Sequence, residues 1–102
     1  MAFENANFDA NLAAAAGDDP ALFAELRRAF RESVEKQVDL LGRARCDGNW
    51  MVAAERLRGL GASFHAEPLV LLADEALDSA PGDPVILRKL GAFAAELWPE
   101  VT

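Results

Sequence analysis

Apolar residues recur along this chain at spacings of three and four, and no segment alternates with a period of two. That pattern belongs to amphipathic helices rather than strands. Phe23, Leu26, Phe30, Val34, Val38 and Leu41 make the longest stripe. Between them stand Arg27, Arg28, Arg31, Glu32, Glu35, Lys36 and Asp39, a solvated face. The stripe predicts one helix from Pro20 to about Ala44, roughly 37 Å long at 1.5 Å per residue. Asp18-Asp19-Pro20 predicts its start: Asp19 can cap free N–H groups, and Pro20 at the first helical position lacks only a donor that has no partner there. A helix of this length points to an elongated bundle.

The remaining punctuation predicts four more helices. Residues 6–16 form a short one with a thin apolar face, ended by Gly17 and packed as a cap. Cys46-Asp47-Gly48-Asn49 reads as a turn, and a third main element follows from about Trp50 to Ser63, with Ala53, Leu57, Leu60 and Phe64 inward. Pro68 opens another, with Leu69, Leu72, Ala73, Ala76 and Leu77 inward. Pro81-Gly82-Asp83-Pro84 breaks it and starts the last, whose stripe is Val85, Leu87, Leu90, Phe93, Ala94 and Leu97. Trp50 and Trp98, near helix ends, are expected to cap the core. Short loops make neighbours antiparallel. The expected fold is all-α: an up-down-up-down four-helix bundle with a short N-terminal extra helix. It forms a single domain over 1–102, with residues 1–17 as a cap and 18–98 as the bundle.

Composition narrows the function classes. A chain of 102 residues, 52% hydrophobic and 26% charged, suits one globular core. Its net charge of −7, from 17 acids and 10 bases, argues against nucleic acid, whose binding needs clustered cations. No apolar run approaches the roughly 20 residues of a membrane span, and the N-terminus MAFENANFDA has neither the basic nor the apolar region of a secretory signal. Cys46 is the sole cysteine, so no internal disulfide can form. That fits a reducing cytosol, and a cytoplasmic protein is expected. No metal or cofactor is expected.

Residues 53–66 read Ala-Ala-Glu-Arg-Leu-Arg-Gly-Leu-Gly-Ala-Ser-Phe-His-Ala. This resembles the signature of bacterial histidine-containing phosphotransfer (HPt) domains: His-x-Leu-Lys-Gly, a small-residue run, a polar residue, an apolar residue and Gly-Ala. Leu57 matches the leucine, Arg58 stands for the lysine, and Gly59 matches the glycine. Gly61 and Ala62 continue the small run, and Ser63, Phe64 and Ala66 fit the tail. The order of elements over roughly residues 20–98 agrees as well. Two positions depart from the pattern. Glu55 stands where the phosphoacceptor histidine belongs, and His65 stands at the closing glycine. The resemblance implies a two-component (phosphorelay) signalling module that meets a response-regulator receiver domain or a histidine kinase.

Residues 55, 58, 59 and 62 share one side of a helix, while Leu57, Leu60 and Phe64 point away from it. The expected docking face is therefore Glu55, Arg56, Arg58, Gly59 and Ala62, made flat by Gly59 and Gly61, with Arg56 and Arg58 as its positive charge. Glu55 is expected to pair with Arg58 at i, i+3. A carboxylate is a much weaker nucleophile than neutral imidazole, so phosphotransfer at position 55 should fail and the module should be a non-catalytic regulator or competitor, not an enzyme. Glu55 is also a poor mimic of phosphohistidine, being shorter and carrying one charge where a phosphoryl group carries nearly two. Two alternatives stay open: an active phosphotransfer protein using His65, and a helical adaptor outside two-component signalling. His65 also reads simply as an exposed helix-terminal residue at a position that asks for positive φ. Ser63, two residues away, would face elsewhere on a helix. Asp74, Glu75 and Asp78 supply too few oxygens for a hard cation and read as a solvated face.

Overall fold

The structure is a computed structural model. It describes residues 6–97, and of residues 6–9 the backbone only. Five helices make up its regular structure: α1 (Ala6–Ala16), α2 (Pro20–Arg43), α3 (Asp47–Ser63), α4 (Glu67–Leu77) and α5 (Pro84–Glu96). Their starts follow the local chemistry. Asp19 Oδ1 accepts from the N–H groups of Ala21 and Leu22 at 3.0 and 3.3 Å, and Asp83 Oδ1 accepts from Val85 N–H at 2.9 Å. A proline follows each of these caps, at the first helical position. Gly17 and Asp18, both at positive φ, turn the chain between α1 and α2.

One boundary differs from the sequence expectation. α3 begins at Asp47 rather than near Trp50, so Gly48 and Asn49 lie in its first turn. Asp47 at that turn favours the positive end of the helix dipole. Trp50 N–H bonds Cys46 O at 3.1 Å, and the indole, 1% exposed, donates from Nε1 to Ala76 O on α4 at 2.7 Å. Burial of a large ring outweighs the weak turn propensity of Gly-Asn.

α2 packs on α3, α3 on α4, α4 on α5, and α5 back on α2, while α1 lies against α2. The molecule is elongated, with principal extents of 43 × 26 × 18 Å. Phe30, Val34 and Leu41 of α2 meet Trp50, Leu57, Leu69, Ala73, Ile86 and Leu90 in one core, and among the described residues no polar side chain is buried with them. Leu12 and Ala16 bury the thin face of α1. The α5 stripe holds at Leu87, Leu90, Phe93, Ala94 and Leu97 and differs from expectation only at its start. Val85 is 46% exposed and Ile86 is fully buried in its place. Val85 lies five residues before Leu90, about 140° round the helix at 3.6 residues per turn, whereas Ile86 lies four before it. Trp98 lies outside the described residues.

The α3–α4 seam is the closest in the fold. Trp50 meets Ala76, Arg58 meets Asp74, and Gly61 meets Val70, so the two helices run antiparallel. At Gly61 a Cβ would stand 2.8 Å from Val70 Cγ2, 2.9 Å from Val70 N and 3.1 Å from Ala66 O. Gly61 is therefore buried under α4 and does not flatten an exposed face. Beyond it the helix ends in a Schellman turn: Ala66 N–H bonds Gly61 O at 2.7 Å, His65 N–H bonds Ala62 O at 3.3 Å, and His65 takes φ of 58°.

Three substitutions test this seam and the turn beyond it. Gly61→Ala should destabilise the protein, because overpacking against a backbone nitrogen costs about 1–3 kcal/mol. The helix-propensity gain of about 1 kcal/mol does not offset a clash of that kind. Gly59→Ala, whose Cβ would meet nothing within 4 Å, is the matched control and should stabilise. His65→Gly should raise stability by about 1 kcal/mol, the cost of a left-handed conformation for a residue with a Cβ. Urea denaturation followed by circular dichroism reads all three.

Candidate protein-docking face

α3 divides cleanly into two sides. Trp50, Ala53, Ala54, Leu57 and Gly61 are buried, and that fixes where everything else points. Glu55, Gly59 and Ala62 are exposed along one outward line, at the i, i+4, i+7 spacing. Arg56 and Arg58, also exposed, flank that line on opposite sides, Arg56 toward α2 and Arg58 toward α4. All five residues predicted for the face are thus on the surface of one helix. Position 55 lies about two turns in from Asp47, so it is held by a helix that is already well formed.

The electrostatics differ from the sequence expectation. Arg58 does not pair with Glu55. Its Nε donates to Asp74 Oδ1 on α4 at 2.7 Å. A cross-helix partner held by packing wins over an i, i+3 neighbour because α4 presents Asp74 directly beside Arg58. Glu55 makes no ion pair or hydrogen bond with the described residues. Glu75, next to Asp74, receives Lys89 Nζ of α5 at 3.0 Å. These two carboxylates therefore tie α4 to α3 and to α5. Among the described residues no group of three or more His, Cys, Asp or Glu comes together as metal ligands would.

Gly59 has a second significance. Open space surrounds the position a Cβ would take, so packing within the chain does not require glycine there. Exposed apolar side chains outside the predicted stripes are Met51 and Val52 on α3 at 47% and 45%, Leu40 on α2, and Leu71 on α4 at 60%; Met51 stands one turn before Glu55, and Leu40 and Val52 share a hollow with Arg56. Their signal was present in the sequence, since Met51 and Val52 fall between the inward positions Trp50 and Ala53. Isolated exposed apolar residues are ordinary, but Met51 in line with Glu55, with Leu40 and Val52 beside Arg56, makes a surface suited to contact.

His65 lies past the end of this strip and far from position 55. It lies ten residues beyond Glu55, roughly 15 Å along the helix direction. Because the chain leaves helical geometry at His65, it shares a shallow cleft with Ser63 and Asn11 instead of facing away from Ser63. No hydrogen bond joins Ser63 and His65. Cys46 is exposed at the start of α3.

The Arg58–Asp74 pair is about half exposed on both sides, so solvent screens it. A double-mutant cycle of Arg58→Ala and Asp74→Ala should give a coupling of no more than about 1 kcal/mol in chemical denaturation, shrinking as salt is raised.

No protein-family model, no curated protein and no solved structure matches the chain.

Proposed function

We propose that this chain is a degenerate HPt-type signalling module. In this reading α2 to α5 are an up-down-up-down four-helix bundle, α1 is the extra N-terminal helix, and the outward side of α3 docks a response-regulator receiver domain or a histidine kinase without passing phosphate on. The observation that carries it is Glu55: exposed, unpaired among the described residues, midway along α3 and at the head of a strip flattened by Gly59 and Ala62. The resemblance puts the phosphoacceptor at this position, and here a carboxylate occupies it. The closed ring of neighbours α2–α3–α4–α5 and the antiparallel α3–α4 seam support the bundle.

The chemistry of position 55 sets the direction of the function. Neutral imidazole accepts a phosphoryl group near pH 7 because its ring nitrogen is a good nucleophile, and a carboxylate in water is not. Docking survives such a replacement, because a protein interface depends on shape and on a few buried anchors rather than on the reacting atom. Such a module competes with a true phosphotransfer protein for its receiver, or holds the receiver in one state.

Titration of receiver domains from the same genome into isotope-labelled protein tests this. Amide shifts centred on Glu55, Gly59 and Ala62 are expected. Gly59→Gln should weaken docking by about tenfold or more through steric bulk, while raising fold stability by several tenths of a kcal/mol. Absence of binding to every receiver, or shifts confined to another face, ends the reading.

A further inference from the structure

On the α2 side of the strip, two adjoining hollows make one groove along the α2–α3 seam, both lined by Gln37 and Arg56. One half adds Leu40, Val52 and Arg43, and the other adds Gly59 and Phe64. Three features of this groove converge. Its charged lining residues are two arginines and no acid, in a chain where acids outnumber bases 17 to 10. Arg43 is held by Asp39 at 3.1 Å, whereas Arg56 forms no ion pair with the described residues. Leu40 and Val52, 39% and 45% exposed, leave apolar surface in water at the same place. Finally, Gln37 Oε1 is buried and accepts no hydrogen bond. An unsatisfied buried carbonyl destabilises a protein, and a turn of the side chain into the groove would let a ligand's donor relieve it.

We infer that this groove binds an acidic amphipathic helix of a protein partner, with apolar side chains on Leu40 and Val52, a carboxylate on Arg56 and a side-chain amide donating to Gln37 Oε1. A helix is the fitting occupant because the walls are two helices packed side by side, and the described residues offer no sheet edge to which an extended segment could add. From Asn49 to Ser63 the groove runs roughly 21 Å, which accommodates about four helical turns. The partner's carboxylate meets an arginine that has no ion-pair partner among the described residues, and the charge-assisted hydrogen bond it makes there is stronger than one between neutral groups. Gln37 then serves binding at the expense of the free protein's stability. The inference deepens the docking function proposed above and rests on it only for the identity of the partner.

The probe is a set of designed helical peptides of about four turns, each carrying one glutamine as the donor to Gln37: one with an apolar stripe flanked by glutamates, the same stripe flanked by lysines, and the glutamates on an alanine stripe. Titrated into the labelled full chain, the first should bind most tightly and shift Gln37, Leu40, Val52 and Arg56. Arg56→Glu should reverse the preference toward the lysine peptide, and Val52→Asp should weaken the first peptide by about tenfold or more. Gln37→Leu should raise the melting temperature yet weaken the first peptide. Shifts elsewhere on the molecule, or affinities indifferent to peptide charge and to Arg56→Glu, overturn the inference. Receiver docking that is unaffected by Arg56→Glu and Val52→Asp would leave the strip function standing and remove the groove from it. Peptide binding in the groove with no receiver bound would do the opposite.

Discussion

The close approach of α3 and α4 at Gly61 is the constraint on which the rest of the molecule depends. With a hydrogen in place of a side chain, the backbone of α4 at Val70 comes against α3, and the Schellman turn through His65 and Ala66 delivers the chain to that contact within three residues. The same approach brings the Trp50 indole to the Ala76 carbonyl and Arg58 to Asp74. A helix clamped along its length in this way has no rotational freedom. Its buried side is settled by Trp50, Leu57 and Gly61, so the direction in which Glu55 points is settled with it.

That rigidity explains why the outward side of α3 can be so plain. A docking strip of glutamate, glycine and alanine holds its shape only if something else supplies the order, because none of these residues anchors a helix. Gly59 in particular weakens the helix by about 1 kcal/mol relative to alanine with no packing return inside the chain. The stability comes from the opposite side of the helix, from aromatic burial at Trp50 and from the tilted contact of Phe30 with Phe64, whose ring centroids lie 4.8 Å apart. Stability and contact are thus assigned to opposite faces of one element, and Gln37, with its unsatisfied buried oxygen in the groove beside Arg56, is a place where the two interests conflict.

Much of this architecture was legible in the chain. The three-and-four periodicity of Phe30, Val34 and Leu41 specifies a long helix with one apolar side, since only a 3.6-residue period brings those positions together. Asp19-Pro20 and Asp83-Pro84 announce helix starts because a short carboxylate and a missing N–H each suit the first turn and little else. The outward placement of Glu55, Gly59 and Ala62 followed from the same arithmetic once Leu57 was taken as inward. A positive φ at His65 followed from the need to end α3 abruptly.

What only the tertiary structure decided is everything that depends on a neighbour from another helix. Gly48 and Asn49 look like turn residues locally, yet Trp50, buried against α4, draws them into α3. Gly59 and Gly61 are indistinguishable in sequence, and only the presence of Val70 separates a glycine on open surface from one that packing demands. Arg58 had a partner three residues away in the chain and took Asp74, sixteen residues away, because α4 holds that carboxylate beside it. Local spacing reports the faces of a helix, since those are set by its own geometry. Which side chains meet across the seams depends on the rotation and depth of packing, and no single segment carries that information.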